Sequence, residues 1–142
     1  MRKVSDILRR KGSRVTTVTP SLPVIDALRM MADQNIGSVV VAESDKFLGI
    51  MTERDYSRKI ILKGRSSTDT TVGEIMSSDF PSVHSKDTVD YCMQLMSQQN
   101  LRYLPVLDGN ILAGILSIND VVTETIITQQ ETISHLQNYI QS

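Results

Sequence analysis

The sequence predicts an α+β fold: two copies of one strand–helix–strand–strand–helix (β-α-β-β-α) unit, packed sheet to sheet with pseudo-two-fold symmetry. Three observations predict it. First, sliding the chain by 65 positions lays residues 18–55 onto 83–120 without a gap, and nine of the 38 pairs are identical, where average composition gives about two or three. Second, each copy carries one helical stripe, Val24, Ala27, Leu28 and Met31 in the first and Val89, Cys92, Met93 and Met96 in the second, both at i, i+3, i+4, i+7. Third, each stripe is followed by two short apolar runs joined by a turn. A unit of about 60 residues buries only roughly 60% of its unfolded surface and is marginal alone, so the copies are expected to share a core.

The elements follow in order. The segment Val4-Ser5-Asp6-Ile7-Leu8 is a weak echo of Val72-Gly73-Glu74-Ile75-Met76. Turn signals, Thr19-Pro20-Ser21-Leu22-Pro23 and His84-Ser85-Lys86-Asp87-Thr88, precede the two helices. Asn35 and Asn100 stand where those helices should stop, and Asn tolerates the left-handed cap. Strands are expected over 38–42 with 47–51 and over 103–107 with 111–116, the turns falling at 43–46 and 108–110. Pro105 inside a strand implies an edge or a bulge. A second helix begins at Thr52 in one copy and Ser117 in the other. Residues 63–71 are polar and read as the linker, and Thr71-Val72-Gly73-Glu74 then reads as a capping box. Past Asp120, Val122, Ile126, Ile133, Leu136 and Ile140 continue a helix stripe, part of which is expected to meet another element or a second subunit. The expected divisions are 1–65 for the first repeat with its N-terminal helix, 66–125 for the second, and 126–142 for a helical extension.

Composition narrows the functions. The chain has 142 residues, 15 Lys+Arg against 16 Asp+Glu, 4% aromatics and no Trp. A generally basic nucleic-acid surface and a base-stacking platform are disfavoured, and no recognition-helix signal supports nucleic acid as a partner. One cysteine, Cys92, allows no intrachain disulfide, and its place in an apolar stripe favours packing over nucleophilic work. The longest strictly apolar run is four residues, 39–42, so no membrane span is expected. Residues 1–14 carry six basic side chains against Asp6 alone. A basic amphipathic start also fits a mitochondrial presequence, but such segments avoid acids, and Asp6 favours a cytoplasmic protein. With a mid-chain cluster of Arg54, Arg58, Lys59, Lys63 and Arg65, this asymmetry points to a local anion site. His84 and His135 are too isolated for a metal site, and no catalytic constellation emerges, so neither metal nor catalytic residues are expected.

The sharpest feature is Gly49-Ile50-Met51-Thr52-Glu53-Arg54-Asp55, matched by Gly114-Ile115-Leu116-Ser117-Ile118-Asn119-Asp120. A strand ends, a hydroxyl starts a helix, and an acid follows three residues on. The plain reading is a pair of helix caps. The functional reading adds a ligand: helix amides and a hydroxyl suit phosphate, a carboxylate can take both hydroxyls of a ribose, and Arg54 can pair with phosphate.

With Lys11-Gly12, Thr52-Glu53-Arg54-Asp55-Tyr56, Leu104-Pro105-Val106 and Ser117-Ile118-Asn119-Asp120-Val121-Val122, this doubled pattern resembles the cystathionine β-synthase (CBS) domain. The likeness is to a tandem pair, over residues 4 to about 125, as in small stand-alone bacterial CBS-pair proteins. It implies a regulatory, non-catalytic module that binds AMP, ADP, ATP, NAD or S-adenosylmethionine in clefts between the repeats, forms a homodimer, and acts on an effector protein in trans. It implies that Asp55 and Asp120 hold ribose hydroxyls, that Thr52 and Ser117 lie at the phosphate with Arg54, Lys11 and Arg102, and that the backbone at Ile36, Gly37 and Ser38 and at Leu101, Arg102 and Tyr103 flanks adenine. Asn119, where similar proteins often have Gly, and Tyr103, where His is frequent, make the two sites unequal. The alternative is a structural dimerisation protein without a ligand, whose motifs are caps only.

Overall fold

The computed structural model describes residues 2–12 and 14–141. In chain order the elements are α1 (Val4–Lys11), β1 (Thr17–Val18), α2 (Val24–Gln34), β2 (Ser38–Glu43), β3 (Lys46–Thr52), α3 (Glu53–Tyr56) running into a π-helical turn (Ser57–Ile61), α4 (Val72–Ile75), α5 (Val89–Gln99), β4 (Tyr103–Asp108), β5 (Ile111–Ser117) and α6 (Ile118–Gln141). They form two compact units. One takes the described residues of 14–80 with 109–112, and the other those of 1–13, 81–108 and 113–142.

The unit built on the first copy has a three-stranded sheet in the order β1-β2-β3. β1 is parallel to β2, with Thr17 beside Val40, and β2 is antiparallel to β3, from Ser38 beside Thr52 to Glu43 beside Lys46, with a bulge between Val41 and Ala42. Ser44 and Asp45 make the turn with φ of 52° and 63°, the left-handed pair that matches hairpin twist. Asn35 ends α2 at φ 54°, as its sequence position predicts. The core holds Val18, Val24, Ala27, Met31, Val39, Val41, Met51, Ile60, Val72 and Ile75. Residues 63–71 are more than a linker, because the carbonyls of Ser67 and Thr70 accept hydrogen bonds from Ile25 and Val24 at the start of α2.

The unit built on the second copy has the same plan with one loss. α5 ends on Asn100 at φ 53°, and β4 pairs with β5 as a two-stranded sheet. The strand corresponding to β1 is reduced to a single bridge between Val83 and Val106. Pro105 is the reason: in the first copy the N–H of Val40 donates to Thr16 O at 3.1 Å, and the aligned Pro105 has no N–H to give. The core holds Val4, Ile7, Val83, Val89, Cys92, Met96, Leu104, Val106, Leu116 and Val121.

Each unit borrows its flanking helix from the other copy's sequence. Val4 and Ile7 of α1, which precede the first copy in the chain, are fully buried in the core of the second copy's unit. Val72 and Ile75 of α4, which precede the second copy, are fully buried in the first copy's unit. The backbone repeats this exchange bond for bond. Val72, Gly73 and Val24 N–H groups donate to Leu22, Pro20 and Thr70, and Val4, Ser5 and Val89 donate to Asp87, Ser85 and Arg2. The boundary at residue 65 follows chain order, while α1 packs by its apolar face; each fully buried side chain contributes roughly 1.5–3 kcal/mol.

The two borrowed helices differ after their first turn. α1 continues through Leu8, Arg9, Arg10 and Lys11, all good helix formers, to Gly12 at φ 87°. α4 stops at Ile75, and Ser77 instead pairs with Ile50 of β3 in an antiparallel bridge. The segment Ser77-Ser78-Asp79 prefers extended or capping conformations. This difference decides what reaches each candidate site.

Candidate functional site

Both repeated motifs fold as the spacing requires. Thr52 ends β3 with extended backbone (φ −115°, ψ 166°) and caps α3. Its Oγ1 accepts from Asp55 N at 3.1 Å, and its N–H donates to Asp55 Oδ2 at 2.9 Å. Ser117 does the same before α6, accepting from Asp120 N at 3.2 Å and donating its N–H to Asp120 Oδ2 at 2.8 Å. The same strand end is tied to the loop after the preceding helix in both units: Glu53 N donates to Gly37 O at 3.1 Å, and Ile118 N to Arg102 O at 2.8 Å. Ile36 and Leu101 are fixed in turn by N–H bonds to Met31 O and Met96 O. Ser38 opens β2 opposite Thr52. The backbone expected to flank a base and the hydroxyl-acid pair therefore meet within each unit.

The environments of the acids differ. Asp55 is 6% exposed. Besides the Thr52 amide, its Oδ2 accepts the Thr52 hydroxyl at 3.1 Å, while its Oδ1 accepts Ser77 Oγ at 2.7 Å and pairs with Lys59 Nζ at 3.1 Å. Lys59 also donates to Ile75 O at 2.8 Å and Ser77 Oγ at 3.4 Å. Asp120 is less covered. Lys11 Nζ, at the end of α1, meets its Oδ2 at 2.7 Å and the carbonyl of Ile115 at 3.0 Å. Arg54 is half-buried, Arg102 and Asn119 are exposed, and Tyr103 opens β4 half-buried.

The resemblance implies a phosphate for Lys11; the structure pairs it with the Asp120 carboxylate, and it pairs Asp55 with Lys59 and Ser77, partners the motif spacing does not include. The Lys59 pairing is four residues along one helical stretch and was legible; the Ser77 pairing depends on where α4 ends and was not. The basic N-terminus is also less of an anion site than its charge implies. Arg10 Nε donates to the buried Glu124 at 3.0 Å, Arg2 pairs with Glu124 and Glu131, and Arg9 pairs with Asp6. These cations hold α1 to α6 and to itself.

Two copies of one repeat, each ending a strand in a hydroxyl-capped, acid-bearing helix start, define a tandem-repeat module. The CBS domain family model matches residues 4–62 and 72–126. The chain belongs to the CBS domain family. It is similar to the CBS domain-containing protein CBSX3, mitochondrial, of Arabidopsis thaliana, with 37% identity over 97% of this chain and 71% of that one. It is also similar to a solved putative signal-transduction protein with CBS domains from Burkholderia ambifaria, with 42% identity, a TM-score of 0.84, and coverage of 89% of this chain and 96% of that one. The CBS domain pair of protein MJ0100, solved with 5′-methylthioadenosine and S-adenosyl-L-methionine, shares the fold at a TM-score of 0.78 and 24% identity, over 88% of this chain and 96% of that one. No described helix is long and apolar enough to cross a membrane.

Proposed function

We propose that this chain is a regulatory adenosine-nucleotide sensor, with AMP, ADP, ATP or NAD as the ligand class, and not an enzyme. One observation carries the reading: the hydroxyl-x-x-acid helix start occurs in both units with matching cap bonds, and each presents its acid beside a lysine ammonium. Acid and cation together suit a molecule that offers ribose hydroxyls and a phosphate at once. The adenosyl ligands in the MJ0100 pair support the ligand class by fold likeness. Regulation follows from differential affinity: a ligand that binds one arrangement of the protein better than another shifts the population toward it. The signal is read by a partner protein in trans, and the working form is a cytoplasmic homodimer.

Thermal melts with AMP, ATP and NAD test the ligand. A ligand at 100 times its Kd stabilises by about 2.7 kcal/mol, which raises Tm by roughly 5–20 °C for domains of this size range. If none of the three moves Tm or gives binding heat, the motifs are caps and the protein is a structural dimerisation module. That second reading has its own support, since Ile133, Leu136 and Ile140 of α6 are 53%, 58% and 81% exposed.

A further inference from the structure

The 24-residue helix α6 has two faces with different fates. Written as heptads, Ile126, Ile133 and Ile140 fall at position a, and Val122, Gln129 and Leu136 at position d. Glu124 and Glu131 fall at f, opposite that seam, and they are the acids that Arg2 and Arg10 of α1 engage. The fold therefore holds α6 by the side away from a and d. The seam emerges along its length, from Val122 at 39% exposed to Ile140 at 81%. The CBS match ends at residue 126, so most of the seam lies beyond the repeat.

Three observations identify what fits this seam. The first is charge. Charges at e and g set partner choice in coiled coils, and on α6 those positions, from Thr123 to Tyr139, hold only Thr, Gln and Tyr. A partner with charged flanks finds no counter-charge there, whereas a second copy meets neither repulsion nor a stranded ion. The second is polar satisfaction. Thr125 and Thr132, both at g, donate their hydroxyls back to the carbonyls of Val121 and Thr128 at 2.9 Å and 3.0 Å. Covering them leaves no donor unpaired.

The third is Gln129, the polar member of the seam. Across a parallel, in-register pair like faces like, so the side-chain amides of two Gln129 residues can bond to each other, NH2 to carbonyl. In an antiparallel pair a faces d, and each Gln129 would be covered by an isoleucine with its amide unmet. Isoleucine at a with leucine at d favours the same parallel, two-stranded form.

We infer that residues 122–140 of α6 pair with the same helix of a second copy as a parallel, in-register coiled coil whose register is set by Gln129. The inference rests on the homodimer reading and names its interface; it does not depend on the ligand. α6 grows from the cap made by Ser117 and Asp120, so the fold has already nucleated the helix that pairs.

Light scattering and oxidative cross-linking of the full chain test this. Wild type is expected at twice the chain mass. Gln129→Cys, treated with oxidised glutathione, is expected to form a disulfide-linked dimer at least tenfold faster than Asn138→Cys, which sits at f. The native Cys92 is buried and adds no background. Ile133→Asp is expected to raise the dimer Kd at least tenfold. A wild-type dimer whose Gln129→Cys variant cross-links no faster than Asn138→Cys, or whose Kd Ile133→Asp leaves unchanged, overturns the inference and leaves the homodimer standing. A wild-type monomer overturns both. The three altered positions are exposed, and the wild-type mass needs no variant to fold.

Discussion

Gly49 and Gly114 are aligned identities of the repeat, yet they have different reasons to be glycine. A Cβ on Gly49 lies 2.7 Å from the backbone carbonyl of Ser77, which is held by the bridge to Ile50; a Cβ on Gly114 lies 2.7 Å from Cδ2 of Leu8, the far end of a flexible side chain. Gly49→Ala therefore forces backbone to move and is expected to cost at the upper end of the roughly 1–3 kcal/mol range for overpacking, with Gly114→Ala near its lower end. Urea denaturation of both variants checks the order, and equal losses refute the account of what each glycine faces. Identity of sequence across the repeat was legible; the unlike neighbours were not, because they come from α4 and α1, whose resemblance is faint. The same limit applies at the acids. Thr52, Asp55, Ser117 and Asp120 stood out by spacing alone, but their acceptor occupancy depends on residues 22 positions downstream for Ser77 and 109 positions upstream for Lys11.

At the scale of elements, caps carry the pH dependence. The Thr71 amide, followed by the Thr71 hydroxyl, holds the Glu74 carboxyl below its ordinary value; the Lys3 amide does the same for Asp6, and the Ser85 amide and hydroxyl for Asp108. A carboxyl depressed in the folded chain binds protons less readily than in the unfolded chain. Its stabilisation is therefore present above the unfolded pKa near 4 and is lost as pH falls through the folded value. Tm is expected to be level from pH 7 to 5 and to drop below about pH 4, with a shallower drop in Glu74→Gln; parallel curves for the two proteins contradict this. α6 supplies the other element-scale expectation. Its stripe of Ile126, Ile133, Leu136 and Ile140 runs at spacings of seven, three and four, the heptad rhythm of a helix seam, and every member is exposed. If the homodimer uses this face, Leu136→Asp with Ile133→Asp yields a monomer by light scattering; an unchanged mass places the interface elsewhere. The helices, hairpins and both Asn caps were legible because their signals are local. The loss of a strand beside Pro105 was half-legible, since the proline was visible and the parallel partner it fails to bond was not.

For the whole molecule, a net charge of −1 conceals a basic start that the fold largely neutralises internally, with Arg2 and Arg10 on Glu124 and Lys11 on Asp120. The exchange of α1 and α4 adds two fully buried side chains to each unit's core, and it also makes the surroundings of the two matching acids unequal by delivering different side chains to them. A crystal structure grown with AMP tests the sensor reading most directly. The account predicts nucleotide density with ribose hydroxyls within hydrogen-bond distance of Asp55 or Asp120 and phosphate at the adjoining Thr52 or Ser117. No density at either acid at saturating AMP contradicts it.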